Sequence, residues 1–378
     1  MTQVKSALKD LFAKFGYQTE RRIIVFESDD WGAVRVPGED ALNEFKTVFP
    51  DRKLDHYQSF DGLEKIRDIE TLSGVLHRFA GSFSYGNPVF TLNFATANPC
   101  FDECVPGDAA HAHYEFEPID VTYRAYGEGD AVLDYVRQGR EKTLLHPQLH
   151  GREHLNATMW LAASGVDPAV DYARNLRMVG MDAAFYCNID ALNSNNRLID
   201  GEGYLRDASA LFTSLFGFAS KSFIPPCYVA DRASENILAD IGVETIQSST
   251  MRNIPKRDGS YSKRISAFGR FGSRGLCRLV RNVQFEPARS FFNGEGIDAC
   301  VTGALDGVKT AFDRRQPAVV CTHRVNYSSR VEGAHCDYSF AALDEFLRRL
   351  SILYPDSEFM TSDQLGSLIL GRDIENGE

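Results

Sequence analysis

Short apolar, β-branched runs recur along the chain, each followed by polar or helix-patterned sequence. Ile23-Ile24-Val25-Phe26 leads into Glu27-Ser28-Asp29-Asp30, which predicts a buried strand with polar chemistry at its exit. Further strands are predicted at 88–94, 143–149, 182–187, 222–224, 244–247, 279–285, 318–321 and 358–361. Alternation of strand with helical or loop sequence over the whole length predicts a parallel sheet with covering helices, closed into a barrel or doubly wound. At the N-terminus, Val4, Leu8, Leu11, Phe12 and Phe15 recur at helical spacing, which predicts a surface helix over about 1–17. Residues 98–129 and 251–281 resist the alternation and are read as insertions on the rim.

The 378 residues allow two domains or one α/β barrel, because such barrels often exceed 250 residues as one unit. A net charge of −11 excludes a general nucleic-acid binder, which needs a basic face. No apolar run approaches the roughly 18 residues of a membrane helix, and no N-terminal run resembles a signal peptide, so the cytoplasm is the expected compartment. Eight cysteines are too sparse for a disulfide scaffold and are read as buried, reduced thiols. Cys100 and Cys104 with His111 and His113 match no strong zinc spacing. Charge is unevenly spread: 251–281 holds nine Lys/Arg and one acid, so the remainder carries 32 basic and 51 acidic side chains. The basic segment is either a solvated loop or a site for an anionic group such as a phosphate or uronate. The tail, 371–378, reads as disordered and acid-rich.

The densest chemistry lies in His146-Pro-Gln-Leu-His150-Gly-Arg-Glu-His154, three of the nine histidines at steps of four. Imidazoles four apart on a helical turn can share a metal ion, and a site with two histidines needs a hard anionic third ligand. Asp29-Asp30 at the first strand's exit can supply it, one carboxylate facing a metal and the other a water. Alone, that pair reads equally as a turn or helix cap.

Taken in order, these segments resemble the metal-dependent polysaccharide deacetylases with the NodB-homology fold. Phe26 to Gly32 looks like the family's first motif, which makes Asp29 the base and Asp30 a metal ligand. His150-Gly-Arg-Glu-His154 looks like the second, whose histidines complete the ligand set, with His146 an alternative ligand. Phe223-Ile-Pro-Pro-Cys227-Tyr228 resembles the third, whose backbone lines the groove and helps hold an oxyanion, although Ile224 stands where the family carries an arginine. Ala318 to His323 resembles the last, ending in the histidine that protonates the leaving group. The tryptophan-bearing fourth motif is not visible; Arg281 and Glu286 occupy its place in chain order and could supply the missing arginine and a carboxylate. Trp31, Trp160, Tyr327 and Asn326 are weighed as substrate contacts, with Asn326 and Tyr327 better placed than Trp160.

The resemblance implies one domain over 1–378, a distorted (β/α) barrel of about seven parallel strands with its site at the strands' C-terminal ends. It further implies one divalent ion, zinc first, and removal of an acetyl group from a sugar or oligosaccharide that is phosphate-linked or otherwise anionic. Two rivals remain: a glycoside hydrolase using Asp29 and Glu286 as paired carboxylates without metal, and a non-catalytic carbohydrate-binding relative.

Overall fold

The computed structural model of the chain describes residues 16–108, 110–179, 200–256, 258 and 260–372. Its strands are β1 (Ile23–Trp31), β2 (Phe90–Phe94), β3 (Ala97–Pro99), β4 (Phe116–Pro118), β5 (Leu145–Leu149), β6 (Ser222–Phe223), β7 (Thr245–Ser249), β8 (Met251–Pro255), β9 (Tyr261–Ile265), β10 (Cys277–Arg281), β11 (Val283–Gln284), β12 (Ala318–His323) and β13 (Glu358–Phe359). Eight segments run side by side in the order β10-β7-β6-β5-β2-β1-β12-β11, all parallel, while β13 joins the start of β1.

The two ends of that path are one piece of chain. β10 and β11 are separated by Asn282 alone: the run leaves β7 at Arg281 and pairs with β12 from Val283. The Asn282 side chain bridges the break by accepting from the Val319 N–H at 2.9 Å and donating to the Pro317 carbonyl at 2.9 Å. The barrel therefore has seven staves, as the family resemblance implied, and one of them switches neighbours to close it.

Inward-pointing side chains form layers, because alternate residues of a strand share one face. At the N-terminal end the layer is apolar, with Ile23, Val25, Leu279 and Val319 packed against Phe268, Met360 and Leu365. Two residues further along, Glu27, Asp29, Asn93, Gln247 and Arg281 fill the interior and bond to one another. Outward residues such as Phe26, Phe90, Leu145 and Val320 join a larger core under the helices Ile66–Arg78, Ala131–Glu141, Gly201–Phe216, Ile297–Asp313 and Ala334–Leu353. Here β1 departs from the sequence-based expectation. Glu27 to Asp30 do not leave the strand: Glu27, Ser28 and Asp29 are in register with Cys321, Thr322 and His323 of β12, while the pairing with β2 shifts between Ser28 and Trp31.

The insertions are also refined. The first opens with the antiparallel pair β3–β4, continuing into the helix Ile119–Ala125. The second is a hairpin, β8–β9, but its last residues are barrel stave β10. The N-terminal helix and the predicted strand 182–187 lie outside the described residues, apart from 16 and 17, and so do tail residues 373–378. No helix among the described residues is long and apolar enough to cross a membrane.

Candidate active site

β1, β5, β10 and β12 all end at one rim, and a cavity of about 140 Å³ opens there. Asp29, Asp30, His150, His154, Cys227, Tyr228 and His323 all line it. Residues 29 and 323, far apart in sequence, are neighbours because β1 and β12 pair in register.

Asp30 sits at φ 71°, a left-handed conformation that costs a non-glycine residue energy and persists where the surroundings impose it. Its Oδ1 lies 3.3 Å from His150 Nε2 and 3.9 Å from His154 Nε2, and ligand atoms of all three residues fall within 4.8 Å of one another. His150 Nδ1 donates to the Ile224 carbonyl at 2.9 Å, which directs Nε2 toward Asp30 and the cavity. Burial lowers the pKa of His154 to about 4, so its imidazole is neutral at neutral pH. Two imidazoles and one carboxylate form a donor set that fits zinc.

Asp29 is held differently. Arg281, fully buried, donates through Nη1 to Asp29 Oδ2 at 2.5 Å and through Nη2 to Oδ1 at 2.6 Å, while its Nε reaches Glu27 at 2.6 Å. Asn93 adds a donor to Oδ1 at 2.8 Å. Burial pushes the Asp29 carboxyl upward, but the guanidinium outweighs it and leaves the group below its ordinary range. Opposite, His323 Nδ1 donates to Glu286 Oε1 at 2.6 Å and its Nε2 lies 3.8 Å from Asp29 Oδ2. Burial alone would lower the His323 pKa; the Glu286 carboxylate overcomes this and raises it well above the ordinary value. Glu286 Oε2 in turn accepts from Asn326 at 2.9 Å. Arg281 thus stands beside Asp29, Ile224 of the third segment lines the cavity, and Glu286 with Asn326 stands behind the histidine instead of lining the cavity.

Three sequence-based assignments are corrected. Trp31 is 0% exposed and donates to Ser28 Oγ at 2.9 Å, so it fills core rather than meeting a sugar. Tyr327 is also fully buried, against Phe90 and Phe340. His146 lies on β5, where four residues span about 13 Å rather than one helical turn. That separates it from His150, and it pairs instead with Asp363 at 3.0 Å at the barrel's other end. In the third segment, Cys227 and Tyr228 have φ of 49° and 57°, and the Tyr228 N–H is already donated to the Pro225 carbonyl at 2.9 Å. Cys100, Cys104, His111 and His113 form no metal-ligand cluster among the described residues.

Sequence reasoning missed a chain of buried charges beneath the site. Arg35, in the cavity wall, reaches Asp30 Oδ2 at 3.4 Å and Asp61 at 2.7 Å. Arg324, fully buried, holds Asp61 at 2.8 Å and Glu64 at 3.1 Å, and also donates to the Ala33 carbonyl. Glu64 accepts the Gly32 N–H at 2.9 Å and the Tyr123 hydroxyl. The chain thus grips the Asp30–Ala33 turn by side chain and backbone together. Tyr57, from the short helix His56–Phe60, adds an aromatic wall 4.9 Å from the Arg35 guanidinium and 5.6 Å from the His323 ring.

No family model matches the chain, and no curated protein matches it. Among solved structures, a candidate glycoside hydrolase/deacetylase from Parabacteroides distasonis aligns with a TM-score of 0.51 at 9% identity, over 93% of this chain and 71% of that one. A candidate polysaccharide deacetylase from Mycobacterium smegmatis aligns over 96% of this chain and 97% of that one, with 11% identity and a TM-score of 0.42. A 4-alpha-glucanotransferase from Thermococcus litoralis aligns over 93% of this chain at 12% identity and a TM-score of 0.45; the chain spans only 40% of that protein's length. The likeness to the Parabacteroides structure shows the fold, the distorted (β/α) barrel that the sequence motifs implied. Chemistry rests on the site itself.

Proposed function

We propose that the chain is a metal-dependent hydrolase that removes an acetyl group, in the first instance an N-acetyl group, from a carbohydrate. The observation that carries this reading is the convergence of a two-imidazole, one-carboxylate donor set with a clamped carboxylate and a carboxylate-backed histidine on one cavity. Asp30, His150 and His154 would hold the ion, zinc by the donor set. When bound there, it supplies Lewis acidity toward an acyl carbonyl and acidifies water toward neutral pH.

The remaining work falls to this chain's own side chains. Asp29 is ionised at neutral pH because Arg281 compensates its charge, so it can take a proton at Oδ2, the oxygen that faces His323. His323 is protonated at the same pH; its Nδ1–H is fixed by Glu286, leaving Nε2–H to protonate a departing amine. Such proton transfer contributes typically ~10²–10⁴ in rate. Tyr57, Pro225 and Tyr228 wall the cavity.

The paired-carboxylate rival draws no support from the geometry, since Glu286 uses one oxygen on His323 and the other on Asn326. Metal analysis of three variants tests the proposal. Asp30→Ala and His150→Ala should each lose zinc, whereas Asp29→Asn should keep it and release no acetate. Full acetate release by Asp29→Asn would remove Asp29 as the base, and protein that never takes up a divalent ion would sink the hydrolase reading.

A further inference from the structure

Much of the basic segment is the β8–β9 hairpin, exposed over most of β9 and anchored at the cavity. Asn253 of β8 donates to the Cys227 carbonyl at 2.9 Å, and Cys227 is part of the cavity wall. Val229 bridges to Asn253 as well, so the hairpin rises directly from the rim. Register settles which residues share the face that meets the cavity wall. Asn253 pairs with Lys263, Pro255 with Tyr261 and Met251 with Ile265, and cross-strand partners project to the same side. Lys263 Nζ donates to Asn253 Oδ1 at 2.5 Å, which fixes a cation one side chain away from the wall. On either side of it stand the half-buried Tyr261 and the exposed Met251 (45%) and Ile265 (41%).

Charge on this arm is in excess. Arg252 and Arg278 share the single carboxylate of Glu235, and Arg274 takes Asp240. Lys263 and the exposed Arg264 have no carboxylate partner among the described residues, and Arg264 lies directly opposite Arg252, an arrangement that costs stability. The rest of the chain is strongly acidic, so an anion is attracted to this arm and repelled elsewhere, which orients it as it approaches.

We propose that the β8–β9 hairpin is a docking arm for a carboxylate-bearing, uronate-containing glycan chain, which it lays against the cavity rim. A uronate has an apolar ring face and an anionic edge in one residue; Tyr261 with Met251 and Ile265 meets the first, and Lys263 the second. None of these side chains lines the cavity itself, so a sugar held on the arm leaves the cavity to another residue of the same chain. This deepens the deacetylase reading, since an acetylated residue of the same chain would then reach Asp30, His150 and His154, but binding to the arm does not depend on catalysis.

Calorimetric titration of the full chain with an oligogalacturonide tests it, without any turnover. The expected result is binding that weakens as salt is raised, and that falls about tenfold or more in Lys263→Glu/Arg264→Glu. A charge-matched control, Lys309→Glu/Arg348→Glu on the outer helices, should bind within about twofold of wild type. No oligogalacturonide binding by wild type, equal loss in both double variants, or binding of polyphosphate in preference to oligogalacturonide would overturn the proposal. Failure of the deacetylase reading would show elsewhere, as absent acetate release from a chain that still binds the oligogalacturonide.

Discussion

Replacing Arg281 with methionine removes the buried cation that Glu27 and Asp29 share. The guanidinium is fully buried and makes charge-assisted hydrogen bonds to Asp29 at 2.5 and 2.6 Å and to Glu27 at 2.6 Å. Glu27 keeps only the Ser362 hydroxyl at 2.8 Å, and Asp29 keeps Asn93 at 2.8 Å. Burial already raises the Glu27 pKa despite Arg281, so in the variant Glu27 takes up a proton and Asp29 remains a buried charge that only the more distant His323, at 3.8 Å, offsets. Breaking one buried pair by removing a partner costs about 3–5 kcal/mol, and self-neutralisation of Glu27 keeps the total within that range instead of doubling it. Urea unfolding of Arg281→Met should show this loss. The triple variant Glu27→Gln/Asp29→Asn/Arg281→Met, neutral throughout, should recover most of it, because the penalty belongs to the orphaned charge and not to the missing volume. Arg281→Met within 1 kcal/mol of wild type, or a triple variant as unstable as the single one, would refute the reasoning.

Three further outcomes follow from the same geometry. His335 is buried against Phe60, its Nε2 donates to the Val325 carbonyl at 3.0 Å, and burial lowers its pKa to about 4. The unfolded chain binds that proton below about pH 6.5 and the folded chain does not, so stability is lost as pH falls from 6.5 toward 4, by about 3 kcal/mol at most. His335→Leu should flatten that part of a stability-against-pH curve, and an unchanged slope would remove His335 as its source. Asp61→Asn leaves Arg35 and Arg324 short of a buried counter-charge and should cost about 3–5 kcal/mol in urea unfolding; a loss below 1 kcal/mol would show that the ion chain does not hold the Asp30 turn. Gly32 sits at φ 80°, and a Cβ there would meet the Ala95 carbonyl oxygen at 2.7 Å. Gly32→Ala should therefore lower the melting temperature, at a cost above the ~1–2 kcal/mol of the left-handed conformation alone.

What could be read from sequence, and what could not, divides along physical lines. Asp29, Asp30, His150 and His323 stand out because they close predicted strands, and His154 because it follows His150 at a step of four; a parallel barrel turns strand ends into one rim. Arg281 and Glu286 were recognisable as polar residues at such an end, but their partners Asp29 and His323 are reached only through the stave that switches neighbours at Asn282. Arg35, Asp61, Glu64 and Arg324 gave no signal. The ion pairs among these four join residues 26 to 263 positions apart, and charged residues in loops read as solvated until tertiary structure buries them. His146 misled because spacing of four means one turn on a helix and about 13 Å on a strand, and only the observed strand decides between them. Polar residues 27–30 looked like a strand exit for a similar reason: a barrel with a polar upper layer keeps its strand beyond the last apolar side chain.

The central claim is that an ion held by Asp30, His150 and His154 enables acetyl transfer to water. Acetate release from N-acetylated oligosaccharides, measured on protein stripped with a chelator and then titrated with zinc, addresses it most directly. The account predicts background release from stripped protein and recovery that saturates at one zinc per chain. Undiminished release from the stripped protein, or none from the zinc-loaded protein on any acetylated sugar, would contradict it.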